Sequence, residues 1–315
     1  MVEINSKEQY RKKLYYSCKD QESDAWGEIA AVPAKIMFEL VNSCNHRCIF
    51  CSNRVMKRKT GYMDIELYKD IAIQAHEAGV KEIALYTTGE SLLHPKIVDF
   101  VSKAKKINFS YIYLSTNGVL LDTRMSEALL RTGLDSLRFS INAGTRESYK
   151  QIHGKDDFDL VLSNLREYDR IRKKLNSSAL LSVSCVLTNR TVHEKKILED
   201  LVKPYVDAVK WTEVRIQGGN MLKIIRELSV KRDDERNRLK PCGLLWNGMH
   251  VDYKGNMTLC CVDFNGEMLV GSIKERGLLN CWNGSEMREY RRLHLSKSLD
   301  GNSLCYRCLT GSNSP

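Results

Sequence analysis

The stretch Lys35-Ile36-Met37-Phe38-Glu39-Leu40-Val41-Asn42-Ser43-Cys44-Asn45-His46-Arg47-Cys48-Ile49-Phe50-Cys51 sets an apolar run against a tight group of thiols. Lys35–Val41 has the length and composition of a β-strand, so Cys44, Cys48 and Cys51 fall on its exit loop. Three thiolates spaced Cys-x3-Cys-x2-Cys can hold a [4Fe–4S] cluster and leave one iron without a protein ligand, whereas electron-transfer clusters use four. An open iron points to chemistry at the metal. Zinc is the rival; it wants a fourth ligand, and His46 inside the loop is too constrained to supply one.

Outward from this loop the chain alternates short apolar runs with amphipathic segments. Strands are expected at Lys35–Val41, Lys81–Tyr86, Tyr111–Ser115, Ser136–Ile141, Leu180–Leu187 and Ala208–Ile216. Helices are expected between them, such as Ile65–Glu77, whose apolar face carries Ile65, Tyr68, Ile71, Ile73 and Ala75, and Pro95–Lys106. Six strand–helix repeats predict an α/β fold of parallel βαβ units, either an open sheet or a partial barrel. Ligand sites in both gather at the carboxyl ends of the strands. Thr87-Thr88-Gly89-Glu90 follows the second strand, Thr116-Asn117-Gly118 the third and Asn142 the fourth, so four segments with polar or metal-binding side chains share one rim with the cysteine loop.

The 315 residues carry a net charge of +10, with 43% hydrophobic and 28% charged residues, which suits a folded soluble chain of one or two domains. No run is long enough to span a membrane, and the amino terminus lacks a signal-peptide pattern. Eleven cysteines without such a signal predict a reducing compartment, the cytoplasm. The positive charge is a solvated surface, or it serves an anionic substrate or an acidic electron donor such as flavodoxin or ferredoxin. Lys and Arg are dispersed without interleaved aromatics, which argues against nucleic acid.

With Cys44, Cys48 and Cys51 on the exit of the first strand, the chain resembles the radical S-adenosylmethionine (SAM) superfamily over roughly residues 35–217. The resemblance implies a partial (β/α)6 TIM-like barrel whose open iron is chelated by SAM. It implies reductive cleavage of SAM to a 5′-deoxyadenosyl radical that takes a hydrogen atom from substrate. Phe50 would lie near the adenine, and Thr88, Gly89 and Glu90 stand in place of a Gly-Gly-Glu motif that meets the methionine amine. Ser115, Asn117 and Ser140 match positions that contact ribose or the methionine carboxylate. Thr88 and Ser91 depart from the usual glycine and proline.

Residues 1–34 read as an extension with a short helix around Gln9–Tyr16, and 218–241 as a charged, helical connector. Met249–Leu259 alternates around Lys254-Gly255-Asn256 and reads as a hairpin, and Ser285 reads as the cap of a helix reaching about His294. Cys242, Cys260, Cys305 and Cys308, with Gly255, resemble the cysteine layout of SPASM and twitch modules. That implies a small α+β module at 242–315 with one auxiliary [4Fe–4S] cluster, as in the 2-deoxy-scyllo-inosamine dehydrogenase type; structural zinc is the alternative for these four. Cys18, Cys185, Cys261 and Cys281 read as free thiols in packing positions, and His76 and His193 as structural or solvated.

A fully ligated auxiliary cluster suits electron transfer, so oxidation of a secondary alcohol of a carbohydrate-like, phosphorylated or nucleotide-linked substrate leads. Glu213, Arg215 and Gln217 alternate at the end of the sixth strand and are expected to share a face over the cluster as base or charge partner, with Tyr86 near the substrate. Modification of a peptide substrate is the rival. Only 34 residues precede the first strand, which counts against a leader-binding domain, and an epimerase would want a thiol in the cavity, for which Cys185 is the candidate. A non-catalytic iron–sulfur or zinc protein leaves Thr88-Gly89-Glu90 and Asn117 without a reason.

Overall fold

The computed structural model describes residues 26–230 and 240–311. The expected helix at Gln9–Tyr16, Cys18, and Lys231, Arg232, Arg236 and Arg238 of the connector lie outside the described residues.

Six parallel strands appear where the apolar runs stand: β1 Lys35–Phe38, β2 Glu82–Ala84, β3 Tyr111–Thr116, β4 Ser136–Ser140, β5 Leu180–Leu187 and β6 Ala208–Glu213. The helices crossing between them include α1 Ile65–Glu77, α2 Ile97–Ile107, α3 Thr123–Arg131, α4 Arg146–His153, α5 Phe158–Lys174 and α6 Lys195–Val202. Asp64 caps α1 by accepting from the amides of Glu66 and Leu67. Ile73 is only half-buried; Ala72 takes its place on the inward stripe, with Tyr68, Ile71 and Ala75. After β6 come α7 Leu222–Leu228 and α8 Leu244–Asn247.

The alternation of each strand divides the sheet into two faces. Ile36, Phe38, Ile83, Leu85, Leu114, Phe139, Leu181 and Val183 pack with helix residues such as Tyr68, Phe100 and Leu165 into one continuous core. The opposite, inner face carries Met37, Ala84, Tyr111 and Tyr113, and then, toward the carboxyl ends, the half-buried Tyr86, Ser115, Arg138, Ser140, Ser182 and Ser184.

The carboxyl-terminal cysteine region continues the same sheet. The expected hairpin forms as β7 Met249–Val251 and β8 Asn256–Thr258, followed by β9 Leu269–Ser272. β7 pairs in parallel with β1, so the open sheet runs β6-β5-β4-β3-β2-β1-β7-β8-β9. This joins the carboxyl-terminal cysteine region, through one sheet, to the strand that leads to the first three cysteines. Four helices complete the region: α9 Ile273–Arg276, α10 Leu278–Trp282, α11 Ser285–Leu295 and α12 Leu304–Thr310. Ser285 is the first residue of α11 rather than its cap, a position held by Gly284. Arg291 is fully buried and donates to the carbonyls of Leu245 and Glu28 and to the Asn283 side chain, tying the segment before β1 to this region. Among the described residues, no helix is long and apolar enough to cross a membrane.

Candidate iron–sulfur and SAM site

The loop after β1 is fixed on both sides. The Arg47 and Ile49 amides donate to the carbonyls of His153 and Ile152 at 3.0 and 2.9 Å, pinning the loop to the end of α4. Gly154, which terminates α4 with a left-handed backbone (φ 70°), would put a Cβ 3.1 Å from the Arg47 carbonyl. On the other side, Asn53 donates to the carbonyls of Asn42 and Thr88 at 2.7 and 2.9 Å.

Gly89 shows why this motif needs a glycine at that position. A Cβ there would stand 2.3 Å from the Val41 carbonyl oxygen and 2.5 Å from that of Ser43. The backbone after β2 therefore lies directly against the approach to Cys44, and the Glu90 amide donates to the Ser43 carbonyl at 2.9 Å. The buried Glu90 carboxylate accepts from Leu92 N (3.1 Å), Thr116 Oγ1 (2.8 Å) and Asn117 N (2.7 Å). Burial raises its pKa against these donors. Three of its roughly four acceptor positions are thus engaged within the protein, and its evident work is to hold the end of β3 beside the cysteine loop. Asn117 then donates to Asn45 Oδ1 at 2.7 Å, with the Cys44 sulfur 3.9 Å away.

Thr88, the departure from the glycine pattern, has its own partner: its hydroxyl donates to Glu39, which also forms a two-pronged ion pair with Arg58 at 3.0 and 2.6 Å. Arg58 Nε reaches the Phe264 carbonyl at 2.6 Å, so this buried pair joins β1, the cysteine loop, the Thr-Gly-Glu turn and the carboxyl-terminal region.

Around the thiols the polar groups are donors. His46 N lies 3.4 Å from Cys44 Sγ. The His153 ring accepts the Asn142 amide at Nε2 (3.1 Å), which leaves the proton of a neutral ring on Nδ1, 3.6 Å from Cys48 Sγ and 3.2 Å from His46 Nδ1. His46 in turn faces Asp157 through Nε2 at 3.1 Å. Burial lowers the pKa of both rings, that of His153 further because His46 adjoins it. Burial also holds the thiols protonated while no cation is bound, Cys44 up to about 12 and Cys48 and Cys51 likewise raised. A bound metal reverses that preference.

Cys242, Cys260, Cys305 and Cys308 line one pocket. Its other walls are Leu244, Leu245, Leu259, Val262, Leu304 and Leu309, with the ring of His294. His294 Nδ1 accepts the Cys242 amide at 3.2 Å, so Nε2 carries the proton of the neutral ring, and that buried atom has no partner among the described residues. Burial lowers its pKa to about 4. An orphan N–H among four thiols fits a cluster, whose sulfurs accept hydrogen bonds. Among the described residues, the sole group of three ligating atoms within 4.8 Å of one another is His46, Cys48 and His153. Among the described residues, then, no three sulfurs of either cysteine set all lie within 4.8 Å of one another.

The remaining expected site residues separate. Phe50 is buried with Ile152, Val214, Met221 and Ile225, against Cys48 and Cys51. Ser115 and Ser140 lie together on the inner face, Oγ to Oγ 3.4 Å, and Tyr86 packs beside Tyr113. Glu213, Arg215 and Gln217 do not form one face. Glu213 and Arg215 are exposed, the buried Val214 occupies the inward position, and Gln217 accepts the Ser52 amide at 3.0 Å. Cys185 lies in the core between sheet and helices, because its strand parity is that of Leu181 and Val183. The thiol on the inner face is Cys261, packed against the cluster of Met37, Ala84, Tyr111 and Tyr113. His153, His294 and Arg138 are additions that the sequence pattern did not single out, and Cys261 was read there only as a packing thiol; strand parity alone would have found Arg138.

Residues 38–201 match the family model described as the radical SAM superfamily, and residues 242–309 match that of an iron–sulfur cluster-binding domain, SPASM. A GTP 3′,8-cyclase of Chlorobaculum tepidum is 29% identical over 198 residues, 60% of this chain and 59% of that protein. A PqqA peptide cyclase of Gluconobacter oxydans is 35% identical over 123 residues, 39% of this chain and 34% of that protein. The chain thus spans between a third and three fifths of these relatives. Among solved structures, BtrN in complex with AdoMet and 2-DOIA superposes with a TM-score of 0.60 at 22% identity, covering 89% of this chain and 94% of that one. SuiB of Streptococcus suis bound to precursor peptide SuiA gives 0.67 at 13% identity, covering 89% and 70%. At these identities the likeness is one of fold.

Proposed function

Because the chain belongs to the radical SAM superfamily, we propose that it oxidises a secondary alcohol of a carbohydrate-like, phosphorylated or nucleotide-linked substrate. SAM and its [4Fe–4S] cluster, when bound, supply a 5′-deoxyadenosyl radical that takes a hydrogen atom from the substrate. In this reading Cys44, Cys48 and Cys51 hold the cluster. The turn at Thr88, Gly89 and Glu90, with Asn117, Ser115 and Ser140, receives the amino acid and ribose parts of SAM, and Phe50 packs at the adenine end. An acidic flavodoxin or ferredoxin donates the electron.

The observation that carries the oxidative outcome is the second cysteine set. Four thiols line one apolar cavity, enough to ligate every iron of an auxiliary cluster, which leaves no iron for substrate. Electron transfer is the role left to such a centre. A substrate that has lost a hydrogen atom then becomes a carbonyl by losing one proton and one electron. The test is anaerobic turnover on candidate sugar phosphates. A product two mass units lighter, formed in equal amount to 5′-deoxyadenosine, is expected; a product of unchanged mass overturns the oxidative assignment. A redox-neutral reaction, including one on a peptide, has a specific support in Cys261, a half-buried cysteine packed against the inner-face cluster of Met37, Ala84, Tyr111 and Tyr113. Cys185 does not offer that group.

A further inference from the structure

Resting on the reading above, we propose that Arg138 is the anchor of an anion site on the inner face, built for a phosphoryl group of a small-molecule substrate. Arg138 stands in the middle of β4, in the row Ser115–Arg138–Ser182 across β3, β4 and β5. Ser140, Ser184 and Lys210 form the next row toward the carboxyl ends. Neighbouring strands lie about 4.8 Å apart and successive rows on one face about 6.6 Å apart, so these serines stand on the strands and in the row next to Arg138.

The guanidinium is held without being neutralised. Its Nε donates to Ser115 Oγ at 3.3 Å, and its central carbon lies 5.1 Å from the centre of the Tyr86 ring. Among the described residues it has no carboxylate partner within ion-pair distance. The acids of this face are occupied or remote: Glu39 belongs to Arg58, and Glu82 lies in the Tyr111 row, two rows below. Opposite Arg138, the buried Ser182 hydroxyl has no hydrogen-bond partner among the described residues. A half-buried cation kept unpaired beside an orphan hydroxyl is costly unless a ligand completes it. A carboxylate would be satisfied by the two-pronged guanidinium alone, whereas hydroxyls on the flanking strands suit a group with three or more oxygens. The site shares a row with Ser115 and lies one row below Ser140, on the same rim as the cysteine loop, where the substrate must meet SAM.

The test uses the full cluster-loaded chain with SAM and the probes inorganic phosphate, pyrophosphate and acetate, read by phosphorus NMR titration. Arg138→Gln is expected to weaken phosphate and pyrophosphate at least tenfold, Arg138→Lys by less, and Ser182→Ala severalfold. SAM affinity and 5′-deoxyadenosine formation without substrate should stay within twofold of wild type. Unchanged phosphate affinity in Arg138→Gln overturns the site, as does acetate displacing phosphate at equal concentration. A parallel loss of SAM affinity also overturns it, since the guanidinium then serves the cofactor. Should Arg138→Gln fail to fold, wild-type phosphate affinity in both Arg138→Lys and Ser182→Ala is the contradicting result. A wild-type chain that binds phosphate through Arg138 yet makes no 5′-deoxyadenosine leaves this site standing and removes the reaction proposed above.

Discussion

The two cysteine sets differ in surroundings more than in ligand type. Cys44, Cys48 and Cys51 sit in a polar shell of donors: the His46 amide, Asn117 and the His153 ring. Cys242, Cys260, Cys305 and Cys308 line an apolar cavity among leucines, with one orphan donor, His294. N–H groups aimed at cluster sulfurs ease reduction, and apolar burial of a negatively charged cluster opposes it. On the proposed function, the donors around the first set favour its reduction and the apolar walls of the second oppose it, which suits a low-potential relay.

The strongest way to break this division is to remove each set separately. Cys44→Ala/Cys48→Ala/Cys51→Ala should bring 5′-deoxyadenosine formation below detection. Cys305→Ala/Cys308→Ala should retain SAM cleavage and lose the oxidised product. If both variants lose SAM cleavage alike, the sites are not functionally distinct. Gly89→Ala tests the geometry of the first site. The added Cβ would stand 2.3 Å from the Val41 carbonyl, so the Thr-Gly-Glu turn must move. Turnover should fall about 10²-fold, and stability by about 1–3 kcal/mol, in assays of 5′-deoxyadenosine and of thermal unfolding.

Metal occupancy should also change the pH response. Burial raises Cys44 and Cys305 to about 12 from 9.0. In the cluster-free chain these thiols stay protonated while the unfolded chain ionises above pH 9. Stability is therefore fully present below pH 9 and falls between 9 and 12, by about 1 kcal/mol per thiol and pH unit. Denaturant unfolding at pH 8 and 10 should show that fall without clusters and little of it with them. The smallest effect is expected at His153. Replacing it by Phe removes one donor to Cys48, worth about 1 kcal/mol, and should lower the potential of the SAM-binding cluster by on the order of 40 mV. A shift of the auxiliary potential instead would reverse the assignment of donors.

Much of the fold was legible because its signals are local. The six parallel strands coincide with six apolar runs, and α1 spans Ile65–Glu77 as its periodicity predicts. What escaped depends on parity and on long-range pairing. The expected face of Glu213, Arg215 and Gln217 fails because Val214 takes the inward position, and Cys185 shares the parity of the apolar Leu181 and Val183. The parallel pairing of β7 with β1, which joins the two cysteine regions through one sheet, has no local signature. His153 and His294 look like ordinary core histidines in sequence; only their distances to Cys48 and Cys242 distinguish them.

The central claim, two iron–sulfur sites of which one has an open iron, is tested most directly by iron and acid-labile sulfide per chain after anaerobic reconstitution. The spectrum of the reduced clusters is recorded with and without SAM. About eight irons are expected in wild type and about four in Cys44→Ala/Cys48→Ala/Cys51→Ala, with SAM altering the wild-type spectrum alone. About four irons in wild type and none in the variant, with zinc bound at the carboxyl-terminal cysteines, would contradict it.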